Sequence, residues 1–148
     1  MIQHIDVHAV LQESLPGVYA DLVTRPTGRL VRERIERAIA TAARDDGAIA
    51  RIDFTGVGCI DYSCADEIVA KLLRGQLTVL VLSGISDGHR EAIEPVLARH
   101  GLATLIEGPG GVLEPLGAPE AAAVLLAQLV TRRLAARTPG GTFALTPA

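Results

Sequence analysis

The run Leu-Thr-Val-Leu-Val-Leu at residues 77–82 is the feature that most restricts the fold of this chain. A strand with apolar side chains on both faces is typical of a parallel sheet that is covered by helices. Residues 48–54 and 104–106 also read as strands, and helical periodicity lies between them at residues 63–73 and around Ile93. This alternation predicts an α/β fold with right-handed crossovers and a mostly parallel sheet.

The N-terminal residues predict a β-hairpin. Residues 2–11 alternate loosely between apolar and polar side chains, and a Leu-Pro-Gly turn at residues 15–17 leads into a second apolar stretch at residues 18–23. Thr24 or Thr27 then precedes a helix through residue 42, with apolar side chains at helical spacing. The predicted order is therefore hairpin, helix, strand, helix, strand, helix and strand.

Glycine and proline mark a change in the chain after the last of these strands. The sequence Gly-Pro-Gly-Gly at residues 108–111 indicates a flexible break. We therefore divide the chain into an α/β domain at residues 1–107, a Gly/Pro-rich linker at residues 108–118, and a C-terminal helix with a short wing-like hairpin at residues 119–148. The Pro-Gly-Gly at residues 139–141 predicts the tip of that hairpin.

Composition narrows the class of protein. Hydrophobic residues make up 49% of the chain and aromatic residues 3%, so the core is built from Ala, Val, Leu and Ile. A formal net charge of −3 argues against a general nucleic-acid or anionic-membrane surface. Two cysteines are too few for a disulfide framework, and we see neither a signal peptide nor an apolar run of about 18–20 residues. We expect a cytoplasmic protein.

Residues 53–67 carry a motif in which a strand, a glycine-containing loop and a helix start follow one another. They include Asp-Phe-Thr-Gly-Val at residues 53–57 and Ser-Cys-Ala-Asp-Glu at residues 63–67. This segment resembles the STAS family of anti-sigma-factor antagonists. It is most similar to STAS-like domains with a Ser-x-Ala-Asp-Glu motif. The predicted order of elements agrees with that family from about residue 2 to residue 107.

The resemblance implies a non-enzymatic regulator of transcription that works by partner switching. In that family the serine at the helix start accepts a phosphate from a partner ATP-binding kinase, which is also the anti-sigma factor. The unphosphorylated form binds this partner and releases the sigma factor. By position the phosphate acceptor is Ser63, with Asp61 just before it. STAS domains also occur in sensors and transporters, so the resemblance does not identify the partner.

The same residues also have structural interpretations. Ser63 and Asp66 have the spacing of a capping box. Asp66 and Glu67 either complement the helix dipole or pair with basic groups of a partner, and they would repel a phosphate on Ser63. Cys64 is typical of buried apolar filler. The predicted partner-contacting surface contains Asp61, Tyr62, Ser63, Cys64, Asp66, Glu67, Arg25 and Arg29.

Residues 24–29, Thr-Arg-Pro-Thr-Gly-Arg, allow two interpretations. They are either a helix-start turn with solvated arginines or a contact for a partner or an anion. They lack the order of a phosphate-binding loop.

Two other function classes stay open. A DNA-associated regulator would use the C-terminal helix and wing through Arg132, Arg133 and Arg137, although three arginines neutralise few phosphates. Otherwise this tail serves packing or a homodimer contact.

An enzyme is the least favoured class, because no nucleophile–base pair is readable. His4, Asp6 and His8 alternate on the first strand but lack a fourth metal ligand, so we expect no metal and no cofactor.

Overall fold

The computed structural model describes residues 2–14, 21–42, 48–75 and 77–146, and it contains a seven-stranded sheet. The strands lie in the order β1-β2-β3-β4-β5-β7-β6. The first four are mutually parallel, and the remaining pairs are antiparallel. The strands are β1 (Ile2–Asp6), β2 (Ala48–Asp53), β3 (Leu77–Ser83), β4 (Ala103–Glu107), β5 (Val112–Gly117), β6 (Ala135–Arg137) and β7 (Phe143–Leu145).

Helices connect and cover these strands. A π-helical segment, Asp66–Ala70, joins α3 to α4, so residues 62–74 form one continuous helical stretch. A short 3₁₀ turn, Pro109–Gly111, precedes β5. No helix within the described residues combines the length and apolar character required to cross a bilayer. The helices are α1 (Val7–Ser14), α2 (Arg25–Ala42), α3 (Tyr62–Ala65), α4 (Lys71–Arg74), α5 (Asp87–His100) and α6 (Pro119–Thr131).

The sheet separates two hydrophobic layers. Leu80 and Leu82 of β3 belong to the layer formed with α1 to α5, whereas Val79 and Val81 belong to the layer formed with α6. This alternation explains why β3 is apolar on both faces. The α/β class predicted from the sequence is confirmed, as are the strands and helices predicted between residues 48 and 106.

The predicted N-terminal hairpin is wrong. Residues 7–14 form α1, and the Asp6 carboxylate at its start accepts a hydrogen bond from the Ala9 amide at 3.1 Å. Val7 and Leu11 are both fully buried, because their spacing of four places them on one helical face. β1 pairs with β2 in parallel. The predicted turn at 15–17 and much of the predicted second strand lie outside the described residues, and Leu22 forms an isolated parallel bridge with Ile60.

The linker predicted at residues 108–118 is also wrong, because most of it forms β5. This strand pairs with β4 along five residue pairs, so the sheet continues past residue 107. The predicted C-terminal helix and hairpin are confirmed as α6 and as the antiparallel pair β6 and β7. The hairpin is the edge of the central sheet, since β7 also pairs with β5. It is therefore not an appended wing.

Candidate functional site

The candidate site lies where residues 54–61 leave the carboxyl end of β2 and lead into α3. Residues 21–24 run beside this loop, with the Leu22 amide 2.7 Å from the Cys59 carbonyl and the Asp61 amide 2.9 Å from the Leu22 carbonyl. The His89 ring contacts the Gly58 carbonyl through Nε2 at 2.7 Å. The loop is thus fixed from two sides before the helix begins.

Asp61 caps this helix. Its Oδ1 accepts hydrogen bonds from the Cys64 amide and the Ser63 hydroxyl, both at 2.8 Å, and its Oδ2 accepts one from the Thr24 amide at 2.9 Å. Burial raises the pKa of the Asp61 carboxyl, but hydrogen bonds from the amides of Cys64 and Thr24 outweigh burial and the pKa is lowered. An ionised Asp61 therefore joins the start of α3 to a residue 37 positions earlier.

This geometry corrects the predicted capping box of Ser63 and Asp66. Asp61 has the extended backbone of a capping residue, and Ser63 lies inside the first turn. Ser63 is half-buried and its hydroxyl points to Asp61, while the neighbouring Tyr62 is 41% exposed. The C-terminal elements do not cover this region, because α6 packs on the opposite face of the sheet.

Thr24 adopts a strained conformation next to the cap. Its φ of 69° lies in the left-handed region, which a β-branched residue rarely adopts. Its amide donates to Asp61, and its carbonyl accepts hydrogen bonds from the Cys64 thiol and the Gly28 amide. Backbone strain of this kind persists only where neighbouring contacts impose it. The contacts at Asp61 and Cys64 supply that constraint.

Glu67 lies at the centre of a buried ionic cluster. Its side chain is fully buried, yet its carboxylate contacts Lys71 Nζ at 2.6 Å, Arg25 Nη1 at 2.7 Å and Arg32 Nη2 at 3.3 Å. Arg29 Nε lies 4.0 Å away. Burial raises the pKa of the Glu67 carboxyl, but hydrogen bonds from Lys71 and Arg25 outweigh it and the pKa is lowered. The cluster ties the π-helical segment to α2.

These contacts change the predicted partner-contacting surface. Glu67 and Cys64 are fully buried, so the expectation that they meet a partner is wrong. The Asp66 side chain is 13% exposed and bonds to Arg25 at 2.8 Å and to His100 at 3.2 Å. Exposed atoms remain on Tyr62, Arg25 and Arg29, with Ser63 and Asp61 half-buried between the two helix starts.

Cys64 is a packing residue, as the sequence predicted. Burial, followed by the negative charge of Asp61, raises the pKa of its thiol to about 12. A thiol in that state is not a nucleophile at neutral pH. Cys59 differs, since it is exposed.

A pocket of about 160 Å³ adjoins this region, and sequence reasoning missed several of its residues. Arg99 Nη1 donates to the Tyr62 hydroxyl at 3.3 Å within it. Arg74, Arg99 and His100 occupy the last turns of α4 and α5, where basic residues are ordinarily explained by the helix dipole. Only the fold places them beside Asp66. The lining residues are Arg25, Tyr62, Asp66, Arg74, Arg99 and His100.

The expected alternation of His4, Asp6 and His8 on one strand is wrong, because that strand ends at Asp6. His8 lies in α1, so it does not share a strand face with His4 and Asp6. Within residues 2–14, 21–42, 48–75 and 77–146, no group of three or more His, Cys, Asp or Glu side chains could hold a metal ion.

The C-terminal arginines occupy the edge of the sheet. Arg137 lies over the Phe143 ring at 5.5 Å, Arg133 is exposed and Arg132 is half-buried. The α6 helix packs on the strands through Leu125 and Leu129. This arrangement lacks the form of a helix followed by a separate wing.

Comparison with known proteins supplies no relative for this chain: no family model, curated protein or solved structure matches it.

Proposed function

We propose that this chain is a non-enzymatic, STAS-like regulatory module that binds a protein partner through the surface around Ser63. The proposed partner is a regulatory ATP-binding kinase that also acts as an anti-sigma factor. The observation that carries the proposal is the 2.8 Å hydrogen bond from the Ser63 hydroxyl to Asp61, beside the exposed ring of Tyr62. The residue expected to accept phosphate is thereby bonded to the residue that holds the helix start in place.

The proposed modification transfers the γ-phosphoryl group of ATP from the bound kinase to Ser63. A bond forms between Ser63 Oγ and the γ-phosphorus, and the bond to the β,γ-bridging oxygen breaks so that ADP leaves. The hydroxyl proton leaves along its hydrogen bond to the Asp61 carboxylate and passes to solvent. The catalytic machinery for this step belongs to the partner, and this chain supplies the acceptor.

Phosphorylation would weaken the cap by charge repulsion. A phosphoserine carries about −1.5 to −2 charges at pH 7, and here it would replace a hydroxyl that donates to an ionised carboxylate. Asp61 Oδ1 then loses the hydrogen bond from the Ser63 hydroxyl and lies next to the negative charge of the phosphate instead. Because Asp61 Oδ2 also holds the Thr24 amide, the disturbance reaches the start of α2, where Arg25 is exposed. The proposed binding surface is thus altered on both helices by one modification.

Affinity capture with three forms of the full chain tests this proposal. Wild type and Ser63→Ala should retain an ATP-binding kinase from a lysate of the source organism, and Ser63→Asp should lose it. Ser86→Asp is the matched control, because Ser86 caps α5 and aspartate is a good substitute at that position. It should bind like wild type.

Three results would each contradict a part of the proposal. Equal retention by Ser63→Ala and Ser63→Asp would remove the switch but leave partner binding intact. Capture of partners with no kinase among them would remove the assigned partner class. Mass spectrometry of the peptide that contains Ser63, after incubation with the captured kinase and ATP, should detect the added phosphate. An unmodified peptide would remove Ser63 as the acceptor.

A further inference from the structure

We propose that the pocket between the ends of α4 and α5 binds a phosphate group, either as the free ion or on a small phosphomonoester. We name it the Arg74–Arg99 pocket, after two of its lining residues, and its lining is completed by Arg25, Tyr62, Asp66 and His100. The pocket adjoins the proposed partner surface and shares Arg25 and Tyr62 with it. Ser63 does not line the pocket, so this proposal does not depend on phosphorylation of that residue.

The charge of the lining is the first argument. Three guanidinium groups and one carboxylate line the pocket, which leaves a formal surplus of two positive charges before His100 is counted. The whole chain has a net charge of −3, so this concentration is local. The one carboxylate, Asp66, already bonds to Arg25 and His100. The surplus therefore lacks a counter-ion within the lining.

Arg74 and Arg99 carry that surplus. Arg74 makes no ion pair with any described residue, and Arg99 has the neutral Tyr62 hydroxyl as its contact at 3.3 Å. Like charges that line one pocket without a counter-ion repel each other. An oxyanion between them would relieve this repulsion, and guanidinium groups match the geometry of phosphate oxygens. The Tyr62 hydroxyl can accept from Arg99 and donate its own proton to the anion.

The lining of the pocket selects the kind of ligand. Its volume of about 160 Å³ is roughly half the lower limit for a drug-sized site and is ample for a phosphate group. Five of the six lining residues carry charged or titratable side chains, and the sixth, Tyr62, carries a hydroxyl group. A polar lining of this kind favours a compact anion over an apolar ligand.

The ordinary explanation for these cations is the helix dipole. Arg74 lies in the last turn of α4, and Arg99 and His100 lie in the last turn of α5, where positive charge is favourable. That explanation applies to each helix separately. It does not predict that the two groups should act together on one ion, and this joint action is the property that an experiment can isolate.

Titration of the full chain with inorganic phosphate, followed by ¹H–¹⁵N NMR, tests the pocket. Ionic strength is held constant with chloride, because surface charges are screened at about 10 Å in 0.1 M salt. We expect saturable shifts at Tyr62 and at the Arg74 and Arg99 side chains. In the double variant Arg74→Gln/Arg99→Gln the dissociation constant should rise about tenfold or more, since hydrogen bonds to a charged group are worth about 1.5–3 kcal/mol.

The matched control is Arg90→Gln, which removes an exposed guanidinium from the same helix α5, where Arg90 pairs with Glu114 outside the pocket. It should leave the dissociation constant within about twofold, because an exposed ion pair contributes little. A parallel titration with glycerol 3-phosphate separates the two sources: tighter binding than inorganic phosphate assigns the site to phosphomonoesters, and weaker binding assigns it to the free ion. Identical titrations of wild type and the double variant would overturn the proposal, as would shifts that never saturate.

Discussion

Two helices begin at the same edge of the sheet, and their starts are built differently. The α5 helix follows β3 and is capped by Ser86, whose hydroxyl accepts from the His89 amide while the Ser86 amide donates to the His89 ring. The α3 helix follows β2 and is capped by Asp61, which bonds across 37 positions to Thr24 as well as to Ser63. The side chain of Ser86 stabilises one helix end, whereas Asp61 joins two helix starts. A modification beside Asp61 can therefore alter more than its own turn.

The largest expected effect concerns the ionic contact that ties residues 66–70 to α2. Glu67→Gln leaves Arg25, Arg32 and Lys71 without their buried carboxylate. Removing one partner of a fully buried ion pair typically costs about 3–5 kcal/mol, and because these three cations keep contact with solvent we expect the lower end, about 3 kcal/mol. We expect the free energy of unfolding, measured by urea denaturation, to fall by that amount. The matched variant Glu94→Gln alters an exposed acid of α5 and should change stability by less than about 0.5 kcal/mol. An equal loss of unfolding free energy in the two variants would contradict the special role of the Glu67 cluster.

Close packing between α2 and α3 gives the next effect. A methyl group on Gly28 would meet Cys64 Cα at 3.0 Å and Glu67 Cβ at 3.1 Å. Gly28→Ala should therefore destabilise the chain by about 1–3 kcal/mol, although alanine is the better helix former. Gly88→Ala in α5, where the nearest neighbour is Ser86 Oγ at 3.7 Å, should stabilise by about 0.5–1 kcal/mol. Thermal denaturation of both variants checks the sign, and a stabilised Gly28→Ala would contradict the tight contact.

The two caps themselves should differ in strength. Asp61→Ala removes an acceptor from three donors and should lower the free energy of unfolding by about 2 kcal/mol. Ser86→Ala removes one local hydrogen bond and should lower it by about 1 kcal/mol. Denaturant titration of the two variants measures this difference. A larger loss for Ser86→Ala would reverse the comparison.

Acid should weaken the contacts around α3. The pKa values of Asp61, Asp66 and Glu67 are all lowered in the folded chain, so their contribution is present above their unfolded pKa values and is lost as pH falls through the folded ones. Stability should therefore decline with acid below about pH 4. Glu67→Gln removes one of these groups and should give a flatter decline. Urea titrations between pH 7 and pH 3 test this, and a slope unchanged by Glu67→Gln would contradict it.

Sequence periodicity predicted the elements that have one consistent period. The apolar run at residues 77–82 allows one interpretation and forms a strand, as expected. The spacing of Ile93, Val96 and Leu97 also allows one interpretation and forms a helix, as expected. Residues 7–11 allow two, because Val7 and Leu11 fit alternation and helical spacing equally. The segment forms a helix because this places both side chains on the same buried face. β5 was missed because the glycines and proline before it indicated a linker.

The candidate site was only partly readable from sequence. The resemblance of residues 53–67 to STAS-like domains pointed to Ser63, with Asp61 just before it, whereas Asp66 and Glu67 were interpreted either as first-turn acids or as contacts for a partner. Their partners Arg25 and Arg32 are 35 to 42 positions away, and only tertiary contact brings them together. The spacing of Glu67 and Lys71 was the one local signal of this cluster, since residues four apart share a helical face.

The most direct test of the switch at Ser63 is hydrogen exchange of the Thr24 amide in a chain that carries phosphoserine at position 63. We predict exchange about tenfold faster or more than in the unmodified chain, because loss of the hydrogen bond to the Asp61 carboxylate is worth about 1.5 kcal/mol or more. The His89 amide, which is bonded to Ser86 at the start of α5, should exchange at an unchanged rate. Equal protection of Thr24 in both chains would contradict the account, since Asp61 would then not transmit the modification.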